Sequence, residues 1–586
     1  MSDQYTPTGG QTIFPRINYL KTFSSRLEQR IRNGRVAMFF KRLFGDATLD
    51  IDFAGTKSIG DKLTFTRASA ALYRGSDGLI KTSPVNLLSF SEQFDQWSAG
   101  SSSIITPDNA TAPDGTLTAD QVYFSRSGGT NVSQSITLTQ NQTYTFSVYA
   151  KAATPGTNNK FAPYIGSLTP RFPDDFEATS EWQRFVFTFT HTDTTGSTGT
   201  FLLNKGDEYI TNVYLWGAQL EEGTAVTDYI PTGTSISGAP RFDHDPVTGE
   251  SLGLLIEEES TNLIHYSEPD SGTPDVSNTN GNWNFQDLNR NTEIDKVEGP
   301  DGVSNSASRM QLASGSQWDL YVRINNLTAG EKCTFSGWVR LGTATNFALH
   351  VNNTSGWDTV ADGVYSFDAS DGLNTTSFVK ISHTFTAPTG SKVNVHIGRH
   401  LGTAPAQQTT GTVDVWGLQI ERKSFATSTI RTSGADVTRA ADVASITGTN
   451  FSSWYNQGEG SFVVKADRYD ALPATKFNVL TTNGFRLPEF SFTDTGNAVI
   501  YATNTTNYTS PAPLLKASFG WSFDSTGVSK YINGVGSTTT ESVTDTNTAL
   551  YLGTHLNTAH WHNGHISRFA YFPTRKTDQE LTDLTT

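Results

Sequence analysis

One sentence of this sequence is written twice. "VYLWGAQLEEGTAVTDYIPT" at residues 213–232 returns as "VDVWGLQIERKSFATSTIRT" at 413–432, with Trp-Gly-x-Gln, an aliphatic residue and Glu in the same order and Ile two places before a closing Thr. The correspondence extends backward. "NLLSFSE" at 86–92 matches "NLIHYSE" at 262–268, "TAPDGT" matches "EGPDGV", "TYTFSVYAKA" matches "KCTFSGWVRL", and "EWQRFVFTFT" matches "SFVKISHTFT". The offset grows from 176 residues at the opening phrase to 200 at the closing one. A duplicated unit whose strands were kept while its surface loops lengthened has this signature. Any fold for the chain must therefore contain one unit of roughly 150–180 residues twice.

The matched phrases alternate with period two. Tyr144, Phe146 and Val148 share one face of a strand, as do Phe185, Phe187 and Phe189. Thr and aromatic residues suit pleated strands; Gly, Asn and Ser suit the turns between them. The expected fold class is all-β: tandem β-sandwich or jelly-roll units after a short α-helical N-terminal anchor. By the same alternation, Trp216 and Trp416 fall in step with Ala218 and Leu220, and with Leu418 and Ile420. They are expected to face a core, with Gln219 and Gln419 on the opposite face. With 586 residues, several cores are needed. The expected division is 1–45, a helical attachment segment; 46–85, a framing β segment; 86–235, the first jelly roll; 236–436, a linker strand and the second jelly roll; and 437–586, a final sandwich.

The first and last segments read differently. In 17–44, Leu20, Phe23, Leu27 and Ile31 fall at helical spacing, and Val36, Phe39, Phe40 and Leu43 make a second short apolar face. Two short helices cannot bury such faces alone, so a docking peg for a large partner is the reading. In the final segment Asn483-Gly484, Asn533-Gly534 and Asn563-Gly564 read as hairpin turns. Thr577 and Glu580 open a terminal helix as a capping box.

Charge separates the ends. Residues 1–45 hold eight Lys/Arg against Asp3 and Glu28, giving 8 − 2 = +6; with a total of −15 the remainder is −21. A basic tip on an acidic body implies different partners for the two, and the body is not expected to bind nucleic acid. No run reaches the length of a membrane span, and no secretory leader is read at the start, so no membrane insertion is expected. The single cysteine, Cys333, excludes an intramolecular disulfide framework; its setting in "KCTFSGWVR" is that of a buried, inert thiol.

Several clusters invite catalytic or metal readings. Asp243-His244-Asp245 reads as a strand and polar turn, and Glu257-Glu258-Glu259 as a solvated strand end. His560, His562 and His565 do not share one face at strand spacing. No phrase fixes a pair of carboxylates across a cleft, as glycoside hydrolysis requires. No enzyme, metal or cofactor is expected.

"WHNGHISRFAYFPTRKTDQELTDL" resembles the closing segment of concanavalin A-like (laminin-G-type) sandwiches at the ends of phage tail and fibre proteins. "LTFTRASAALYRGSDGLIKT", "APRFDHDPVTGESLGLLIEEESTNLI" and "DVTRAAD" resemble framing phrases of the same phage structural proteins. The first two normally run close together; here the first repeat lies between them, as if inserted. The repeats are similar to the carbohydrate-binding-module-like jelly rolls of phage virion proteins.

The resemblance implies a virion protein assembled in the host cytoplasm: a tail fibre or tailspike-like adhesin, homotrimeric, binding host surface polysaccharide. The alternatives are a head fibre or capsid decoration protein, a glycan-degrading tailspike, and a bacterial surface adhesin. Attachment to phage tail or capsid proteins is assigned to Leu27, Ile31, Arg32, Arg35, Phe39, Phe40 and Leu43. Glycan stacking is assigned to Trp454, Tyr455, Trp521, Tyr551 and Trp561 in the final sandwich, which is taken as the distal, host-facing part.

Overall fold

The computed structural model describes residues 44–125, 130–156, 158–166, 176–192, 198–204, 210–269, 280–285, 294–312, 320–354, 358–398, 410–469, 477–483, 488–501, 507–540, 546–554 and 561–586. The attachment candidates Leu27, Ile31, Arg32, Arg35, Phe39, Phe40 and Leu43 lie outside these residues, as do His560 and Gly484. The described chain is all-β, built from antiparallel sheets with a few short helices.

Each repeat is a sandwich of two five-stranded sheets. In the first repeat one sheet runs Gln183–Thr190, Thr143–Ala152, Thr211–Glu222, Ala119–Phe124, Ser103–Ala110. The other runs Phe176–Glu177, Lys160–Gly166, Thr198–Asn204, Asn131–Thr137, Ser98–Ala99. The second repeat has the same order: Val379–Thr386, Lys332–Leu341, Gly411–Glu421, Ala307–Leu312, Ile294–Val297, and Thr359–Phe367, Phe347–Asn353, Val393–Ile397, Leu320–Ile324, Trp283–Phe285. The alternating residues make the cores. Tyr144, Phe146, Val148, Val213, Leu215 and Leu220 fill the first; Phe335, Val339, Leu349, Val395, Val415 and Ile420 fill the second. Cys333 lies in the second core, its thiol pushed up to about 12 by burial, so it is inert.

The repeated Trp-Gly departs from simple alternation. Gly217 and Gly417 have φ of 65° and 61°, and the register slips opposite them, between Ser147 and Tyr149 and between Ser336 and Trp338. This bulge inserts one extra residue and reverses the parity of everything before it. Trp216 and Trp416 therefore leave the sandwich cores, contrary to the expectation, and share the outer face with Gln219 and Gln419. Trp216 packs with Tyr149 and Tyr229; Trp416 packs with Trp338 and Ile80. Glycine is required there: a Cβ on Gly417 would lie 2.5 Å from Thr429 Cγ2 as well as in the left-handed region.

The third sandwich is discontinuous in sequence. Gly564–Phe572 pairs with Gly460–Asp467 on one side, and on the other with Ser251–Ile256 and with Leu49–Ile51. In the facing sheet Thr64–Thr66 pairs with Val443–Thr447. The framing phrases are thus strands of the final sandwich rather than separate segments, and Ile51, Phe65, Leu254 and Ile256 sit in its core. Both repeats are insertions between its strands.

Residue 44 enters beside the chain's last helix. Phe44 packs against Phe572 and Leu584, and Lys576 Nζ bonds Asp46 at 2.5 Å. Residues 44–51 are thereby built into the final sandwich, although they stand at the far end of the sequence from it. Asn533-Gly534 forms the expected turn, both residues at positive φ, between Gly527–Ile532 and Val535–Thr539. Asn563-Gly564 does not. Asn563 precedes a strand, and its side chain receives Glu258 N–H at 3.0 Å. The helix Asp578–Thr585 opens with the expected capping box of Thr577 and Glu580.

Candidate functional site

The repeated sentence builds a clasp over one face of each repeat. Gln219 Oε1 accepts from Ile230 N at 2.7 Å, and Gln419 Oε1 from Ile430 N at 2.8 Å. The opening asparagines close it: Asn86 Nδ2 donates to Ala218 O and Ile230 O, and Asn262 Nδ2 to Leu418 O and Ile430 O. Glu221 and Glu421 take the backbone and hydroxyl of Thr227 and Thr427. Burial pushes the Glu421 carboxyl up, against the bonds from Ser260 and Thr427 that favour its charge. The outer face of the closing-strand sheet is therefore occupied by the repeat's own exit segment.

The side of the opposite sheet turned from the core is of another kind, polar but buried in the second repeat, where Tyr321 is 7% exposed, His350 1% and His396, Asn352 and Asn394 0%. In the second repeat Leu320, Val322, Phe347, Leu349, Val393 and Val395 point to the core, so Tyr321, Arg323, His350, Asn352, Asn394 and His396 point away from it. Register aligns Tyr321, His396 and His350 in one row across three strands. Their rings lie 5.0 Å and 5.8 Å apart. A hydrogen-bonded line runs beside them: Arg323 Nε donates to Asn394 Oδ1 at 3.0 Å, Asn394 Nδ2 to Asn352 Oδ1 at 3.2 Å, and Asn352 Nδ2 meets His396 Nε2 at 3.1 Å. His350 Nε2 meets Thr359 Oγ1 at 3.0 Å. Next to the row, Asn284 Oδ1 is buried without a partner among the described residues. Buried polar atoms are ordinarily bonded, so an orphan acceptor marks a place where a ligand or water completes the set.

In the first repeat Val132, Ile136 and Phe161 point inward, leaving Ser133, Ser135, Thr137, Ala162 and Tyr164 on the corresponding face. The positions of Ser133 and Tyr164 flank Leu202 as those of Tyr321 and His350 flank His396. Ser135 and Thr137 are exposed and Tyr164 is half-buried. Flat rings with amides and hydroxyls beside them can stack on apolar ring faces and pair with hydroxyl groups. The alternation "ALHVNN" and "VNVHIG" carried the signal: His and Asn at every second place in an aliphatic strand. The sequence reading passed over it.

The aromatic residues proposed for stacking in the final sandwich are placed elsewhere. Trp521 is fully buried, its ring centroid 4.7 Å from that of Phe523. Trp454 packs on Phe451 and Tyr571, and Tyr455 receives Asn547 Nδ2 at 2.8 Å. These three are core, because alternation carries Trp521 inward with Phe519 and Phe523, and the short helix Gly448–Ser452 folds Trp454 and Tyr455 under the sheets. Tyr551 and Trp561 are half-buried, apart from the rows described above.

The acidic clusters are also drawn inward. Glu257 is not a solvated strand end but fully buried. It joins Arg67, Arg241, Arg439, Asp442 and Tyr469 in one cluster. Arg241 Nη1 lies 2.8 Å from Glu257, Arg67 Nη1 lies 2.9 Å from Asp442, and Tyr469 Oη donates to Glu257. Each arginine comes from a different framing phrase. Burial opposes the charge on Glu257, but Arg439 and Arg241 hold its carboxyl well below the usual range. His565 lies between Asp467, 2.8 Å from Nδ1, and Asp243, 3.3 Å from Nε2. Burial alone would lower its pKa, yet the two carboxylates carry it up to about 10. His562, buried nearby, is pushed down to about 4 by desolvation. Both Asp243 and Asp467 are thus engaged by His565. Among the described residues no group of three or more His, Cys, Asp or Glu is arranged to hold a metal, and no helix is long and apolar enough to cross a membrane.

Residues 88–210, most of the first repeat, match the model of a family described as a carbohydrate binding domain. A search of curated protein sequences returns no match. Among solved structures the chain is similar to the N-terminal CBM22-1-CBM22-2 tandem domain of Xyn10C from Paenibacillus barcinonensis, at 14% identity over 57% of this chain and 97% of that one, TM-score 0.20. It is similar also to a putative sugar-binding protein from Bacteroides thetaiotaomicron, at 14% identity over 28% of this chain and 100% of that one, TM-score 0.21. A structure titled "CBM4 structure and function" matches at 23% identity over 21% of this chain and 86% of that one, TM-score 0.16.

Proposed function

We propose that this protein is a glycan-binding adhesin of a phage particle, attached through residues 1–45 and binding host surface polysaccharide with the outer faces of its two repeats. The match of residues 88–210 to a carbohydrate-binding family carries the binding part of this reading. The second repeat shares the sheet order of the first and holds Tyr321, His350 and His396 in one buried row on the corresponding side. The virion role is supported by the resemblance of the framing phrases, whose arginines meet in one cluster. Trp454, Tyr455 and Trp521 pack in the core of the final sandwich, whereas the family match falls on the first repeat, whose face exposes Ser135 and Thr137; the receptor-binding role is therefore given to the repeats. Tail or tail-spike attachment as a homotrimer is part of the proposal. So is a purely binding role, without hydrolysis of the glycan.

The test is binding of the full chain to purified host surface polysaccharide. Ser135→Arg adds a bulky charge at an exposed position on the face of the first repeat and leaves its core untouched. His350→Ala removes one ring of the second row. Together they are expected to lower affinity at least tenfold with the melting profile of the first repeat unchanged. Undiminished binding by the double variant refutes the assignment of the faces. Deleting residues 1–43 is expected to abolish incorporation into particles while glycan binding persists; normal incorporation refutes the attachment role.

A further inference from the structure

The two repeats differ on the clasped face around Tyr229 and Thr429, and a cleft lies beside Thr429. In the first repeat Tyr229 lies tilted against Trp216, ring centroids 4.6 Å apart, and bonds Ser91 and Glu92 through its hydroxyl, at 2.5 Å and 3.0 Å. The 200-residue offset of the closing phrase sets Thr429 at the position of Tyr229 and Arg431 at that of Pro231. Thr429 is small and receives Trp338 Nε1 at 2.9 Å. Arg431 lies over Trp416, its guanidinium carbon 5.1 Å from the ring, and bonds Glu268 at 3.2 Å. Beside Thr429 and Arg431 a cleft of about 780 Å³ stands between the framing strand and the second repeat, lined in part by Ser69, Tyr266, Glu268, Lys296, Asn305 and Arg431. That volume is in the range of small-molecule sites, roughly 300–1,000 Å³.

The lining is specific in its chemistry. Glu268 is already engaged, by Arg431 and by Gly417 N at 3.0 Å. Arg439 is neutralised on its far side by Glu257 and Asp442. Lys296 is exposed and spends one hydrogen bond on Ser308 Oγ at 3.0 Å; among the described residues it has no acid within ion-pair distance. An ammonium has three donors, so two remain. Its charge is felt by Glu268, which Arg431 already engages, so on this rim two cations share one carboxylate and the ammonium keeps donors to spare. Around it stand amide and hydroxyl groups and the half-buried ring of Tyr266.

We propose that this cleft is a second saccharide site, separate from the sheet faces, that takes a short oligosaccharide bearing a carboxylate. Lys296 binds the carboxylate, Asn305 and Ser69 pair with hydroxyls, and Tyr266 lies against a ring face. The proposal rests on the carbohydrate-binding reading above. In the first repeat the ring of Tyr229 stands at the position of Thr429.

Isothermal titration of the full chain with oligogalacturonides, and with neutral galacto-oligosaccharides of the same length, tests it. The wild type is expected to bind the acidic series at least tenfold more tightly. Lys296→Glu, at an exposed position, is expected to remove that preference while binding of host polysaccharide at the sheet faces persists. Thr429→Tyr, which sets the ring of the first repeat beside the cleft, is expected to abolish acidic binding. Ser135→Arg is expected to leave it unchanged. Equal affinity for the two series, or acidic binding untouched by Lys296→Glu, overturns the proposal alone. Loss of all saccharide binding in the wild type overturns the sheet-face reading as well.

Discussion

Asp442 offers the sharpest perturbation of this architecture. Its carboxylate receives Arg67 Nη1 at 2.9 Å, Arg241 Nη2 at 2.5 Å and the backbone N–H of Glu257 at 2.9 Å, with no side-chain exposure on any of the three charged partners. Asp442→Asn keeps the shape and removes the charge. Arg241 retains Glu257, but Arg67 has no other acid at ion-pair distance among the described residues. Burial already lowers the Arg67 guanidinium to about 10 with Asp442 in place. Removing one partner of a buried pair costs about 3–5 kcal/mol. With roughly 2–4 °C per kcal/mol for a unit of this size, the melting transition of the discontinuous sandwich should fall by roughly 6–20 °C. Calorimetry resolves this from the repeats, which have their own cores. A loss below about 1 kcal/mol would show that solvent or a rearranged arginine relieves the cluster, and would refute the claim that it locks the framing strands.

Further outcomes follow from the same structure. His565 has a raised pKa in the fold, so its contribution is fully present below about pH 6.5 and lost as pH rises toward about 10; His565→Gln should flatten that alkaline loss in melts across this window. Trp521→Ala should cost about 3–5 kcal/mol of sandwich stability and leave glycan affinity unchanged, and a selective loss of binding would restore it as a ligand contact. Gly417→Ala should destabilise the second repeat by at least about 1 kcal/mol, read as a shift of its transition alone, since the left-handed backbone and the crowding by Thr429 both resist a Cβ.

Period-two alternation made the strands legible: Phe146 and Phe335 are where their phrases put them. The duplication foretold two copies of one sheet order. What alternation could not carry was parity across a bulge, and so Trp216 and Trp416 were assigned to the wrong side of their sheets. Nor could it carry partnership over long separations. Arg67 and Asp442 are 375 residues apart, and nothing local in "FTRAS" or "TRAAD" says that they touch. Polar residues read as surface, such as Glu257 and Asp243, were drawn inward by arginine and histidine partners supplied from elsewhere. The glycan candidates failed for a related reason. An aromatic residue in a strand shows its periodicity but not which side of the sheet meets water.

The pairing of Leu49–Ile51 with Gly564–Phe572 sets a temporal order on biosynthesis. Each repeat can condense as soon as its own strands emerge, because its pairings are internal. Leu49–Ile51 must wait, unpaired, until Phe569–Tyr571 has been made, and Thr64–Thr66 until Val443–Ser445 has. Loop entropy grows slowly with length and adds little to that delay, but an interrupted chain never secures residues 49–51. The segment just upstream, residues 1–45, is the proposed attachment peg, so a truncated product would present it on an unfinished base. The closing strand thus acts as a completion check: only a chain that includes residues 569–571 seats residues 49–51 in the sandwich.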